Sequence, residues 1–208
     1  MYAFSDCTSL VSANIPDGVT IIGDGAFLRC SSLPMLSLPS QVTNIGDHAF
    51  AGCSGLTGSL IIPQSVVDIG SFAFSGCISL DEVFILTPSY TMGSAAFDSS
   101  IATFYGYAGT PIHTYALSIG KVSVAIDISI TEVKMASVTS LKVTWNAVTG
   151  ISGYELSRST TKTGTYTSVY TGTATAYTNT GLTAGKVYYY KVRVYKVVGT
   201  TSYYAPFS

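Results

Sequence analysis

AFLRCSSLPMLSLPSQVTNIG at residues 26–46 and AFAGCSGLTGSLIIPQSVVDIG at residues 49–70 are the same pattern written twice. Working outward from them, Phe4, Phe27, Phe50, Phe74 and Phe97 each follow an alanine, at spacings of 23, 23, 24 and 23 residues. A fixed period of that size marks stacked units that cannot bury an apolar face alone, and such arrays serve mostly as binding scaffolds or spacers. Four further columns fall into register with the Ala-Phe pair. They are Cys7, Cys30, Cys53 and Cys77; Leu10, Leu33, Leu56 and Leu80; Pro16, Pro39 and Pro63; and Ile22, Ile45 and Ile69, each of these isoleucines followed by glycine.

Within one unit, Ala-Phe-x-x-Cys-x-x-Leu spaces apolar residues three or four apart and predicts a short helical turn. Leu-x-x-Leu-x-Leu-Pro at 33–39 changes to period two and predicts a strand ended by proline. Val-x-x-Ile-Gly predicts a second short extended piece with a tight corner at the glycine. The extra residue of the 24-residue step predicts a bulge near Gly58. Strand-paired coils sit about 4.8 Å apart, so every column becomes a ladder of like side chains in the core.

Composition and charge divide the chain. Charged residues make up only 10% of it and mean hydropathy is +0.41, yet no apolar run approaches the ~20 residues that span a bilayer. Residues 1–126 hold two basic against eight acidic residues, net −6, and residues 127–208 hold eight against three, net +5. The step predicts two domains, 1–126 and 128–208. The +5 is spread along predicted strands and does not make a nucleic-acid surface. MYAFSDCTSL carries no basic stretch or apolar run and opens in mid-repeat, so the expectation is a piece of a longer, exported protein.

From Ile130 the pattern becomes short alternating strands, such as Leu141-x-Val143-x-Trp145, Gly153-Tyr154-x-Leu156 and Tyr188-x-Tyr190-x-Val192-x-Val194. Roughly seven strands in this span predict an antiparallel β-sandwich.

AFxxCSSLxxLxLPxxVxxIGxxAF at 26–50, recurring through Phe97, resembles the BspA-like leucine-rich repeats of bacterial and protist surface proteins. Residues 101–126 resemble the ending of such arrays, with a Tyr-Gly-x-x-Gly turn, a short helix around His113 and a final strand; the cap spans about 98–126. Here Ser100 or Ile101 stands where cysteine is due. VTWNAVTGISGYELSRS at 143–159 and GLTAGKVYYYKVRVY at 181–195 resemble fibronectin type III modules. That resemblance makes Trp145 a buried core residue and Leu182, Gly185 and Tyr188 a corner whose tyrosine hydroxyl returns to the backbone. The fold class is therefore a leucine-rich-repeat solenoid followed by an immunoglobulin-like all-β sandwich.

The cysteine column admits metal ligation or disulfide pairing, since adjacent rungs fall within disulfide reach. It also admits a ladder of small buried thiols. No histidine shares the column, and parallel rungs give poor tetrahedral geometry, which favours the thiol ladder and no cofactor. His48 occupies a variable corner whose counterparts are Gly25 and Phe72, and His113 orders the cap. No Gly-x-Ser-x-Gly, His-Glu-x-x-His or phosphate-cradling loop occurs, and the acidic residues form no pair. Catalysis is not expected.

Candidate binding residues are those between the inward positions of the repeat strand: Met35, Ser37, Ile61, Glu82 and Phe84, with Met35, Ile61 and Phe84 forming an apolar stripe. A second candidate surface is Tyr189, Arg193 and Tyr195 on the sandwich, where aromatic and basic groups together suit protein or sugar. The resemblance implies a secreted or cell-surface protein that adheres to host extracellular-matrix or cell-surface proteins. A structural stalk and a glycan-binding accessory module are the alternatives.

Overall fold

The computed structural model describes residues 1–208 and divides into two compact units, Met1–Ala125 and Ile126–Ser208. The first is a solenoid of stacked coils. Its strands are β1 (Ile21–Ile22), β2 (Asn44–Ile45), β3 (Gly58–Ile62), β4 (Asp68–Ile69), β5 (Leu80–Ile85), β6 (Thr91–Met92), β7 (Thr103–Gly106) and β8 (Val122–Ala125), with one helix, α1 (Pro111–Ser118). They form two parallel sheets, β1-β2-β4-β6 and β3-β5-β7-β8. A register shift between Gly58 and Ser59 absorbs the extra residue of the long coil, as the spacing predicts.

Between the sheets the five phenylalanines stack face to face, with centroids 5.1 Å apart at the first two steps, then 5.2 and 5.3 Å. That spacing is slightly longer than the ~4.8 Å strand separation, so the rings are a little offset, as stacked aromatics prefer. Leu33, Leu56 and Leu80 are buried beside them, as are Ile45 and Ile69.

The Ala-Phe-x-x-Cys segment differs from the expected helical turn. It is a run of linked reverse turns: Ala26, Leu28 and Cys30 donate N–H groups to Gly23, Gly25 and Phe27 of their own coil. The alternate residues Gly25, Phe27 and Arg29 instead donate to Asp47, Ala49 and Ala51 of the next coil. Left-handed φ values at Gly25 (57°) and Arg29 (58°) make this alternation possible, because they fall third in their turns, where a type II turn needs positive φ. A helix would spend every amide within its own coil; this arrangement spends half of them between coils.

The expected strand at 33–39 is also absent from the second coil; that segment is paired as a strand from the third coil onward, as β3, β5 and β7. Proline at position 34 has no N–H to give to a ladder. The glycine of Ile-Gly serves close approach: a Cβ on Gly46 would lie 2.7 Å from the Asp24 backbone nitrogen, and one on Gly70 2.5 Å from that of Asp47.

The solenoid ends in β7, α1 and β8. Tyr90 is buried, and its hydroxyl accepts the Ile112 N–H at 2.9 Å at the first turn of α1. Ile101, buried in the core, takes over the inward role that cysteine holds in earlier coils.

The second unit has seven strands: β9 (Ile130–Ser137), β10 (Ser140–Trp145), β11 (Gly153–Ser159), β12 (Thr167–Gly172), β13 (Ala176–Asn179), β14 (Tyr189–Val198) and β15 (Thr201–Tyr204). They form antiparallel sheets ordered β13-β10-β9 and β12-β11-β14-β15. Trp145 and Tyr154 are buried with ring centroids 5.8 Å apart, beside the fully buried Val143, Leu156, Val192 and Val194. The Tyr188 hydroxyl accepts the Thr183 N–H at 2.9 Å, next to buried Leu182 and to Gly185 at φ 75°, so the expected corner is formed. Tyr188 and Tyr190 are half-buried, less enclosed than a core position.

Candidate functional site

The stripe expected on the repeat strands is not an open surface. Met35 is 60% exposed and Ser37 is exposed, but Ile61 is 3% and Phe84 0% exposed. Both point away from the repeat core, alternating with the core residues Leu60, Ile62, Val83 and Ile85. Parallel register sets Ile61 beside Phe84 and Phe84 beside Tyr105, and the Phe84 and Tyr105 rings stack at 4.0 Å. Both thus have apolar neighbours in register, which a single-strand reading of outward positions does not see. Glu82 is half-buried and accepts a hydrogen bond from Ser59 Oγ. Burial, and then the adjacent Glu82 carboxylate, push the Tyr105 phenol up from its ordinary value.

The second candidate surface is internally engaged. Arg193 donates through Nε and Nη2 to Glu155 Oε2 at 2.7 and 2.6 Å. Its guanidinium also lies 4.2 Å from the Tyr204 ring centre and 4.4 Å from that of Phe207. Tyr195 packs on Tyr204 at 5.5 Å, and both Tyr189 and Tyr195 are half-buried. A side chain whose donors and faces are already occupied is a sheet-stabilising element first.

The cysteines behave as core. Cys30, Cys53 and Cys77 are buried, and each thiol donates to the carbonyl of the phenylalanine one coil earlier: Phe4 at 3.1 Å, Phe27 at 3.1 Å and Phe50 at 3.2 Å. Burial, and then the neighbouring thiol, push Cys53 up to about 12 and Cys77 higher still. A thiol so strongly held in its protonated form is a poor nucleophile or metal ligand. In the cap, His113 Nδ1 and Ser123 Oγ share a 2.6 Å hydrogen bond that ties α1 to β8.

What the solenoid presents outward lies on its other side. Tyr2, Gly25, His48, Phe72 and Ala95 occupy one corner column, all with positive φ between 48° and 57°. Tyr2, His48 and Phe72 are exposed, and the His48 and Phe72 rings stack at 5.1 Å. At Gly25 a Cβ would lie 2.2 Å from the exposed Tyr2 ring, so a side chain there would displace that ring. On the adjoining sheet Ile21 and Val67 are 63% and 54% exposed, and Thr91 Oγ1 donates to Asp68 Oδ1. These are variable columns, so the signal is present in the sequence, though weaker than the alternation of the leucine strand.

Residues 1–117 match the BspA type leucine rich repeat region, in six copies. A leucine-rich repeat protein from Bacteroides ovatus is similar over 51% of this chain and 29% of its own, at 30% identity and a TM-score of 0.45. An Fn3-like protein from Clostridium thermocellum is similar over 38% of this chain and 82% of its own, at 32% identity and a TM-score of 0.32. No curated protein matches the chain. No helix is long and apolar enough to cross a membrane. BspA-type repeat proteins are typically secreted or displayed on bacterial surfaces, where they often make protein–protein interactions, and neither the repeat nor the Fn3-like module is typically catalytic. With that match over more than half its length, and with its stacked coils, the chain belongs to the BspA-type leucine-rich repeat family.

Proposed function

We propose that this chain is a non-catalytic recognition module of an exported bacterial surface protein, adhering through its solenoid to a host extracellular-matrix or cell-surface protein. The observation that carries the reading is the contrast between columns. Inward positions repeat phenylalanine, cysteine, leucine and isoleucine, whereas the exposed columns through Tyr2, His48 and Phe72 and through Ile21 change from coil to coil. Packing demands the first; only contact with something outside gives the second a use. Exposed aromatic and aliphatic residues beside Asp24, Asp47 and Asp68 make that face apolar with an acidic rim, which suits a basic protein surface.

The burial of Ile61 and Phe84 turns substitutions there into stability tests, so the exposed positions carry the binding test. Immobilised extracellular-matrix proteins probed with the 208-residue protein give saturable binding, and Val67→Ser with Phe72→Ser weakens it at least about tenfold, roughly the loss of one interface hot spot. Loss on Met35→Ser alone would move the site to the leucine-strand side. Absence of binding to every matrix and cell-surface protein tried would leave the stalk reading in its place.

A further inference from the structure

Two columns of the solenoid run in the left-handed region, and they fill it differently. In the column through Asp6 and Arg29, the third and fourth coils place glycine there, Gly52 and Gly76 at φ 73° and 75°. In the column through Tyr2 and Gly25, the same two coils place His48 and Phe72, at φ 55° and 57°. Left-handed backbone is costly for a residue with a Cβ, and glycine removes the cost. An exposed ring kept at such a position stores strain without completing the repeat core, and strain of this kind gathers where a protein meets a ligand.

The two rings make a short stack that stops one coil early. His48 and Phe72 are parallel to within 5°, with centroids 5.1 Å apart. The next residue of the column is Ala95, exposed and left-handed at φ 48°. The Phe72 N–H donates to Ser94 O at 3.0 Å, so the two coils are in contact at this corner. A methyl group leaves the ring level of the fifth coil empty. His48 is the one aromatic partner of Phe72, no cation lies over its ring, and Phe72 remains 39% exposed beside the gap. Phe72 and Ala95 thus bound a slot about one ring thick.

The charge around the slot has one sign. Residues 1–126 carry a net charge of −6, and of their two basic residues Arg29 is already paired with Asp6. Asp47, next to His48, is exposed, and Asp68 lies on the strand that leads into Phe72. An aromatic wall in an acidic setting attracts a cation, and a slot this thin takes a flat one. The guanidinium of arginine is planar and stacks on rings, whereas the ammonium of lysine is compact and strongly hydrated. We infer that the slot over Ala95 receives an arginine side chain of the partner protein, its guanidinium stacked on Phe72 as the next ring of the column. The inference rests on the solenoid-face reading above and names the group that this face takes in.

The test uses the 208-residue protein labelled with nitrogen-15, capped Gly-Arg-Gly as the probe and capped Gly-Lys-Gly beside it. The amide signals of Phe72, Ser94 and Ala95 are expected to shift with the arginine peptide, half-saturating below about 50 mM, and the lysine peptide to bind at least about threefold more weakly. Ala95→Phe puts a ring of the chain's own into the slot, at a backbone angle that Phe72 already adopts in the same column. Phe72→Leu keeps an apolar side chain and removes the aromatic face. Each is expected to weaken the arginine peptide at least about threefold. Equal binding of the two peptides, no shift at 50 mM, or full binding by either variant would overturn the slot. Matrix-protein binding that survives Ala95→Phe but is lost in Val67→Ser with Phe72→Ser would also overturn it, and would leave the broader face in place. An arginine peptide that fills the slot while no matrix protein binds would overturn the earlier reading and leave the preference for a guanidinium standing.

Discussion

Cys7 is exposed while Cys30, Cys53 and Cys77 are buried and donate to backbone carbonyls of the preceding coil. Thiolate is the reactive form, and burial makes it inaccessible at the inner rungs. Titration of the native protein with an aromatic disulfide reagent at pH 8 is therefore expected to find one fast thiol, removed by Cys7→Ser, with the other three appearing only in denaturant. Simultaneous reaction of all four would contradict the ladder. The residue scale was also where the sequence misled. Ile61 and Phe84 read as outward by alternation, and they do leave the repeat core. Both are nonetheless buried, and Phe84 stacks on Tyr105, one coil and 21 residues beyond it, a neighbour that alternation within one strand cannot report.

At the scale of elements, the cap is held by specific bonds. Tyr90→Phe removes the acceptor for the buried Ile112 N–H at the start of α1. An unpaired buried amide costs about 1–3 kcal/mol, so the urea midpoint of the solenoid is expected to fall accordingly, without change in its m-value. An unaltered midpoint would mean that the first turn of α1 finds another partner. Asp98 joins the last two coils by accepting the Gly76 N–H at 2.9 Å and the Ser100 N–H at 2.8 Å. Partial burial works to raise its pKa, but these bonds outweigh it and hold the carboxyl below the usual aspartate value. The sign follows: a depressed folded value contributes stability above about pH 4 that is lost as the pH falls through it. Thermal midpoints measured from pH 6 to pH 2 are expected to decline less steeply for Asp98→Asn than for the parent. The sandwich strands and the Gly58 bulge were legible in sequence, because each rests on local period or on one extra residue, whereas the ending at 101–126 was expected from resemblance alone. The turn segment was not. Apolar spacing of three or four is common to a helix and to linked turns, and only the left-handed φ at positions such as Arg29 and Phe72 separates them.

At the scale of the molecule, a stacked array has neighbours on both sides only in its middle. Phe50 is fully buried between Phe27 and Phe74, whereas Phe4 stacks on Phe27 alone and is 47% exposed. Phe50→Ala is expected to cost about 3–5 kcal/mol, the usual range for emptying an aromatic site, and Phe4→Ala well under half of that. Circular dichroism in urea reads both, and equal losses would show that burial does not grade along the stack. The charge step near residue 127 separates an acidic repeat stretch from a basic strand-rich one, a contrast that composition alone makes visible.

The turn segment divides its amides evenly between its own coil and the following one, and the upper side of each inner coil therefore carries the same donors, acceptors and ring as the lower side. In the gene this makes 23 codons a spliceable cassette. An in-frame duplication inserts a coil that docks on both sides without compensating change, lengthening the exposed columns by one strand spacing, about 4.8 Å. A unit one codon longer is also accommodated, as the 24-residue step shows, because the register shift at Gly58 keeps Phe50 and Phe74 stacked. The array is thus a ruler whose reach replication errors can alter in whole steps, while point mutation rewrites what each step displays.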